Sequence, residues 1–242
     1  MFTFIVKMVK MLQKYYMLFV TGTWNTLWIS AVTVLLGTLL GMIIALMRMG
    51  KIKPFRLFTD VYIEILRGTP ILLQLYIFYF VLPNVLPFLK LSQFMWVSIA
   101  LCVNSSAYVS EVIRSGIQAV DKGQTEAARS LGMSESQTMT KIILPQAIRN
   151  ILPALGNEFI MMLKETSLAS TFFLGDLMTS YAIIKGVTYL TLEPMTIVAI
   201  IYLCMTFPLS KLVEWFEKRM STEKSYKNHK RKRKLNIEKG VL

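Results

Sequence analysis

Five long apolar runs restrict this chain to one broad class of fold. They lie near residues 24–47, 57–82, 92–113, 150–172 and 193–215. Each holds about 20 residues or more, the length an α-helix needs to cross a hydrocarbon layer of about 30 Å. In lipid a backbone must satisfy its own hydrogen bonds, so the expected fold class is an all-α polytopic membrane protein with about five spans. With 54% hydrophobic residues among 242, the chain is too apolar for an ordinary soluble domain. Gly37 and Gly41 stand four residues apart in the first run. They either let a neighbouring helix approach closely or are simply tolerated there.

The net charge of +13 suggests a nucleic-acid binder until its position is considered. Residues 217–242 carry ten Lys/Arg against three Asp/Glu, +7 of the total. No nucleic-acid partner is expected, although a basic tail alone cannot separate RNA from anionic lipid. Orientation follows from Lys/Arg placement. Loop 48–56, segment 114–149 and the tail together hold nineteen, against five on the other side. The amino end is therefore expected outside and the carboxyl end in the cytosol. A sixth span in the less apolar segment 173–192 would reverse that distribution. This segment is read instead as an external helix and loop over the pore mouth.

Three regions follow. Residues 1–20, with Lys7, Lys10 and Lys14 on one helical face, are expected to form an amphipathic interfacial helix. Residues 21–216 form the transmembrane domain, and 217–242 a basic cytosolic tail without fixed structure. Cys102 and Cys204 lie in apolar runs and indicate no disulfide framework. His229 is the only histidine, so no metal site is proposed. No cleavable signal peptide is expected, because the first run is too long and lacks a small-residue cleavage site.

The polar stretch Asp121–Arg149 reads as two short helices. Asp121 is placed to cap the first, with Gln124 three residues on, and Gly132 ends it. Ser134 is placed to cap the second, with Gln137 in the reciprocal position and Pro145 near its end. A capped helix pair outside the membrane has no lipid to face and is expected to dock on a partner.

Three polar clusters share a similar depth in the membrane: Arg67-Gly68-Thr69-Pro70, Asn104-Ser105-Ser106 and Lys164-Glu165-Thr166-Ser167, the last one to two turns beyond Glu158. Ionisable groups at such depth are costly and are functional candidates by default. Thr69 as N-cap and Pro70 at the first helical position would start a new half-helix there. Its free N–H groups and positive dipole end suit a carboxylate. The candidate substrate residues are Arg67, Gly68, Thr69, Asn104, Glu158, Lys164, Glu165 and Thr166. Arg67, Lys164 and the half-helix would take a carboxylate, and Glu158 and Glu165 an ammonium. The alternative is that these charges pair only with each other. Asp60 and Glu64 are expected to line the cytosolic half or pair locally, and Glu111 and Arg114 to brace the 121–149 loop.

Glu126-Ala127-Ala128, then Gly132, then Ile142-x-Leu144-Pro145 resembles the E-A-A-x3-G-x9-I-x-L-P signature of bacterial ABC importer permeases. RGTPILLQLYIFYFVLP at 67–83, NSSAYVSEVIRSGIQAVDKGQTEAARSLG at 104–132 and LPQAIRNILPALGNEFIMMLKETSLAS at 144–170 resemble the polar amino-acid branch, the histidine/glutamine/arginine/opine type. With the spans, the likeness covers roughly residues 20–215. Glu165 departs from the Asp more usual in the family, and the basic tail has no obvious counterpart.

The resemblance implies a type I ABC importer transmembrane fold in the bacterial cell membrane, importing a polar amino acid. Glu126, Ala127, Ala128, Gly132, Leu144 and Pro145 would belong to a coupling helix seated on a cytosolic ATPase. The implied partners are two ATP-binding cassette subunits, a second permease copy or paralogue, an extracellular amino-acid-binding protein and the lipid bilayer. No cofactor is expected on this chain, and ATP with Mg²⁺ would sit on the ATPase. The sequence has no G-x-x-x-x-G-K-[ST] and no nucleophile-and-base set, so no catalytic residue and no enzyme activity are expected. The rival readings are an ATP-independent secondary transporter, which predicts an inverted repeat, and a membrane scaffold with a lipid- or RNA-binding tail.

Overall fold

A computed structural model describes residues 2–220. The described residues are almost wholly helical, with no strand among them. In chain order the helices are α1 (Phe2–Met49), α2 (Lys53–Gly68), α3 (Ile71–Tyr76), α4 (Leu82–Val85), α5 (Gln93–Gln118), α6 (Lys122–Ser130), α7 (Glu135–Thr138), α8 (Leu144–Glu165), α9 (Leu177–Thr188) and α10 (Leu192–Met220).

Three helices are long and apolar enough to cross a membrane alone: Thr3–Met49, Gln93–Gln118 and Leu192–Met220. Two bent pairs raise the number to five. Lys53–Gly68 with Ile71–Val85 turns through 105°, and Glu135–Phe172 with Leu177–Thr188 through 43°. The second expected span is thus not one rod but two arms meeting at Gly68-Thr69-Pro70. The twelve residues of α9 are too few to cross alone.

The helix expected over residues 1–20 is the first part of α1 and leads into the first span through a kink at Tyr15 (φ −117°, ψ 18°). It is held in place rather than lying free. Met11 and Phe19 are buried with Leu177, Ile184, Ile197 and Val198, and Lys7 lies 3.8 Å from Glu193. At the other end, residues 217–220 complete α10. The rest of the expected basic tail, 221–242, lies outside the described residues.

α5 is the axis of the bundle and packs on α1, α2, α3 and α8. Gly37 and Gly41 let α1 lie against it. A Cβ on Gly37 would come within 2.8 Å of Ser105 Oγ, and one on Gly41 within 2.8 Å of the Ser106 carbonyl oxygen. The small residues are therefore at a close helix crossing, as one of the two sequence readings had it.

Two π turns have a shared cause. They span Ile77–Val81 and Met139–Ile143, and each runs into a Leu-Pro pair, Leu82-Pro83 and Leu144-Pro145. Proline lacks an N–H and its ring crowds the carbonyl four residues back. Widening the turn relieves that crowding, and Leu82 and Leu144 donate instead to Ile77 and Met139, five residues back. Pro145 therefore does not end the second loop helix, as expected from the sequence. The chain runs from α7 through the π turn into α8 without a break.

Gly41→Leu is expected to cost about 1–3 kcal/mol by overpacking and to lower the thermal unfolding midpoint in detergent by several degrees. Gly186→Ala, where an added Cβ meets nothing within 4 Å, should leave the midpoint unchanged or raise it.

Candidate functional site

Asn104, Ser105 and Ser106 are consecutive on α5 and all buried. Successive helical residues project about 100° apart, so each reaches a different neighbour. Asn104 Nδ2 donates to Gln74 Oε1 on α3 at 2.9 Å. Ser105 Oγ donates to Glu158 Oε1 on α8 at 3.0 Å. Ser106 Oγ lies 2.7 Å from Tyr62 Oη on α2. One short polar stretch thus ties the central helix to three others at a single level of the bundle.

The break between α2 and α3 lies at this level. Thr69 is extended (φ −116°, ψ 146°), as a residue before proline prefers. It does not cap α3 as expected. Pro70 occupies the N-cap position, and the Thr69 hydroxyl donates back to the Ile65 carbonyl at 2.8 Å. Gln74 holds the break together. Its Nε2 donates to the Leu66 carbonyl at 2.8 Å, to Thr69 Oγ1 at 2.8 Å and to the Thr69 carbonyl at 3.2 Å. Gln74 was not among the expected residues, although it is the lone amide side chain in Ile71–Tyr76 and legible on that ground.

Three buried acceptors lack full partners, two at this level and one two turns further along α8. Asn104 Oδ1 and Glu165 Oε2 are buried with no hydrogen-bond partner, and Glu158, 5% exposed, receives only the Ser105 hydroxyl at one oxygen. Glu158 and Glu165 are seven residues apart, so they share one face of the α8 helix. Thr166 is buried and donates to the Leu163 carbonyl at 3.0 Å, whereas Lys164 and Gly68 are exposed.

The structure does not bring all eight candidates into one cleft. Arg67 stands apart from the two glutamates, with Nη1 3.8 Å from Glu111 and its guanidinium 5.5 Å from the Tyr108 ring centroid. It lines a charged cleft of about 720 Å³ with Arg48, Arg56, Asp60, Glu64, Glu111 and Arg114. Asp60 pairs with Arg48 of α1 at 2.6 Å, a partner on another helix and not a local one on its own helix face. Glu111 and Arg114 bind each other at 2.6 Å and hold the end of α1 rather than the 121–149 loop. The ion pair found on that loop, between Lys51 and Glu135 at 3.9 Å, is an exposed one.

The loop itself is built by local capping. Asp121 caps α6, accepting from Gly123 N at 2.7 Å and not from the Gln124 position expected. Ser134 and Gln137 form a complete capping box, with bonds of 3.2 and 2.9 Å. Gly132 joins the two helices at φ +82°, a conformation open to glycine at little cost. Leu131 beside it is 84% exposed. Glu126 and Ala127 are exposed as well, and Ala128 is buried. Leu144 and Pro145 form the junction to α8. An apolar, glycine-hinged corner projecting from a polar loop is suited to docking.

Residues 37–222 match the family described as the binding-protein-dependent transport system inner membrane component. The chain is 43% identical over 201 residues to a putative glutamine transport system permease protein of Rickettsia bellii, covering 83% of this chain and 92% of that protein. It is 40% identical over 197 residues to the arginine transport system permease protein of Bacillus subtilis, covering 81% and 90%. The fold matches the solved structure of an amino acid ABC transporter with histidines at a TM-score of 0.82 and 50% identity, over 86% of this chain and 96% of that one. The MetNI methionine ABC transporter in an inward-facing conformation shares the fold at a TM-score of 0.69 and 16% identity, over 85% of this chain and 97% of that one.

Gln74→Leu removes the donor shared by three acceptors of the break, of which the Leu66 carbonyl is buried. The expected loss is about 1–3 kcal/mol, read as a lower unfolding midpoint of the detergent-solubilised protein.

Proposed function

The chain belongs to the family of inner-membrane components of binding-protein-dependent transport systems, and we propose that it is the permease subunit of an ABC importer that carries a polar amino acid into the cytoplasm. The observation that carries this reading is the Asp121–Arg149 loop, with its capping box, its Gly132 hinge and the exposed Leu131. Such a loop suits insertion into a groove on a separate ATPase. The amino-acid class of cargo is supported by relatives that are named for glutamine and for arginine.

The assembly proposed has two ATPase subunits holding ATP and Mg²⁺, a second copy or paralogue of this chain, and an extracellular amino-acid-binding protein. The chain lies in the bacterial cytoplasmic membrane as a multi-pass protein, with the loop in the cytosol. Glu126, Ala127, Ala128, Gly132, Leu144 and Pro145 form the coupling element. Because α7 continues through a π turn into α8, a displacement of the loop is passed along the helix that carries Glu158 and Glu165.

For the cargo, Glu158 and Glu165 supply carboxylates for an ammonium, and Asn104 Oδ1 an acceptor for a polar N–H. Their open hydrogen-bonding capacity supports this, because buried polar atoms are rarely left unpaired without a reason. Gly68, Thr69, Lys164 and Thr166 are proposed at the edge of the same site. The uncapped first turn of α3 and Lys164 favour the cargo carboxylate. Arg67 is the weakest of the substrate candidates, because Glu111 and Tyr108 already engage it.

Gly132→Arg places a branched side chain at φ +82°, which costs about 1–2 kcal/mol and fills the hinge. Affinity capture from membranes should bring down an ATPase with the wild-type chain and lose it with this variant. Capture of no ATPase by either form would refute the coupling role. Glu158→Gln and Glu165→Gln should each lower amino-acid uptake by roughly tenfold while ATPase capture persists. Unchanged uptake in both variants would remove these residues from the cargo site.

A further inference from the structure

One carboxylate at the loop end of the bundle gathers three arginines from three helices. Glu111, on α5, has a side chain 16% exposed. Arg114 on the same helix donates to its Oε2 through Nη2 at 2.6 Å and Nε at 3.1 Å. Arg48, at the end of α1, donates to its Oε1 through Nη1. Arg67, in the last turn of α2, places Nη1 3.8 Å from the same oxygen. Arg48 is held from its other edge by Asp60 of α2 at 2.6 Å.

Stability of Glu111 does not require this convergence. Arg114 alone, from one turn away, gives it a two-nitrogen contact. The further two arginines come from other helices and link them to α5, Arg48 by a hydrogen bond and Arg67 by a longer ion pair at 3.8 Å. Partial burial makes such bonds firmer than exposed surface pairs.

Their position in the chain gives the cluster a purpose. α5 leads through Ala119 and Val120 directly into Asp121, the cap of α6. Seven residues in the other direction lies Asn104, two turns along the same face. α8 is likewise continuous with the loop. α2 is not. It is tied to α5 by Tyr62, by the apolar contact of Ile63 and Leu66 with Ala107, and by this ion cluster. Arg67 is the residue immediately before Gly68, where the 105° bend begins.

We propose that Glu111 is a coupling strut, a positioning residue that fastens Arg67 to α5 so that movement of the 121–149 loop reaches the α2–α3 break. It acts through Arg67 and touches no cargo. The inference rests on the importer reading above and adds to it the route by which α2, which does not adjoin the loop in sequence, follows the loop. The charged cleft is, on this view, the joint around that strut.

The test uses the full chain in proteoliposomes with the ATPase that co-purifies with it and an amino-acid-binding protein, with glutamine and arginine as probes. Uptake and ATP hydrolysis are measured together. Glu111→Gln is expected to retain ATPase capture and hydrolysis but to lower uptake per ATP by roughly tenfold, and Glu111→Asp to restore part of it. Arg67→Gln should have the same effect, and the double variant should be no worse than either single one. A purely structural role would instead lower uptake and hydrolysis in proportion. Arg67, 45% exposed, is expected to fold when replaced, so it carries the test alone if Glu111→Gln does not accumulate. Unchanged uptake per ATP, additive effects or a proportional loss would overturn the strut while leaving the importer reading intact. A wild-type complex without ATP-driven uptake would overturn both.

Discussion

Inside a lipid layer, water does not drive helices together, and association depends on how closely backbones approach and on which polar groups they can share. In this protein that contact is between α1 and α5. Gly37 and Gly41 bring the backbone of α1 to the level of Ser105 and Ser106, and α5 can then reach outward on its other sides. Its Asn104-Ser105-Ser106 stretch serves α3, α8 and α2 in turn. A bulkier residue at either glycine would separate the helices and with them the level at which the polar groups meet.

Interruptions of helix geometry are concentrated where the chain has proline or glycine beside polar groups. The Gly68-Thr69-Pro70 break is stabilised from outside by Gln74, whose amide takes up carbonyls that the bend exposes. The two Leu-Pro pairs are absorbed by π turns and do not end their helices. The second of these turns keeps the loop and α8 continuous at a proline that would otherwise be expected to separate them.

Two polar arrangements differ in how fully they are paired. Asn104 and Glu158, near the α2–α3 break, and Glu165, two turns further along α8, keep unfilled hydrogen-bonding capacity. At the loop end, Glu111 accepts hydrogen bonds from Arg48 and Arg114, and Arg67 lies 3.8 Å away. Arg67 lies immediately before the break, and its contacts are with Glu111 and Tyr108 of α5.

The membrane class, the runs that became spans, the Ser134–Gln137 capping box, the left-handed Gly132 and the break at Gly68-Thr69-Pro70 were all legible in the residues themselves. They depend on local quantities: apolar length, backbone freedom at glycine, a missing N–H at proline and side chains that reach three residues along a helix. The same local reasoning failed where a nearby alternative partner was available. Thr69 was expected to cap forward and bonded back to Ile65. Tertiary structure alone decided that Arg67 pairs with Glu111 and not with the glutamates of α8, that Gln74 bridges the break to Asn104, and that residues 1–20 fold onto α9 and α10. Those outcomes depend on which helices are neighbours and at what rotation. Helical periodicity fixes the face on which a side chain lies but leaves open what lies opposite it.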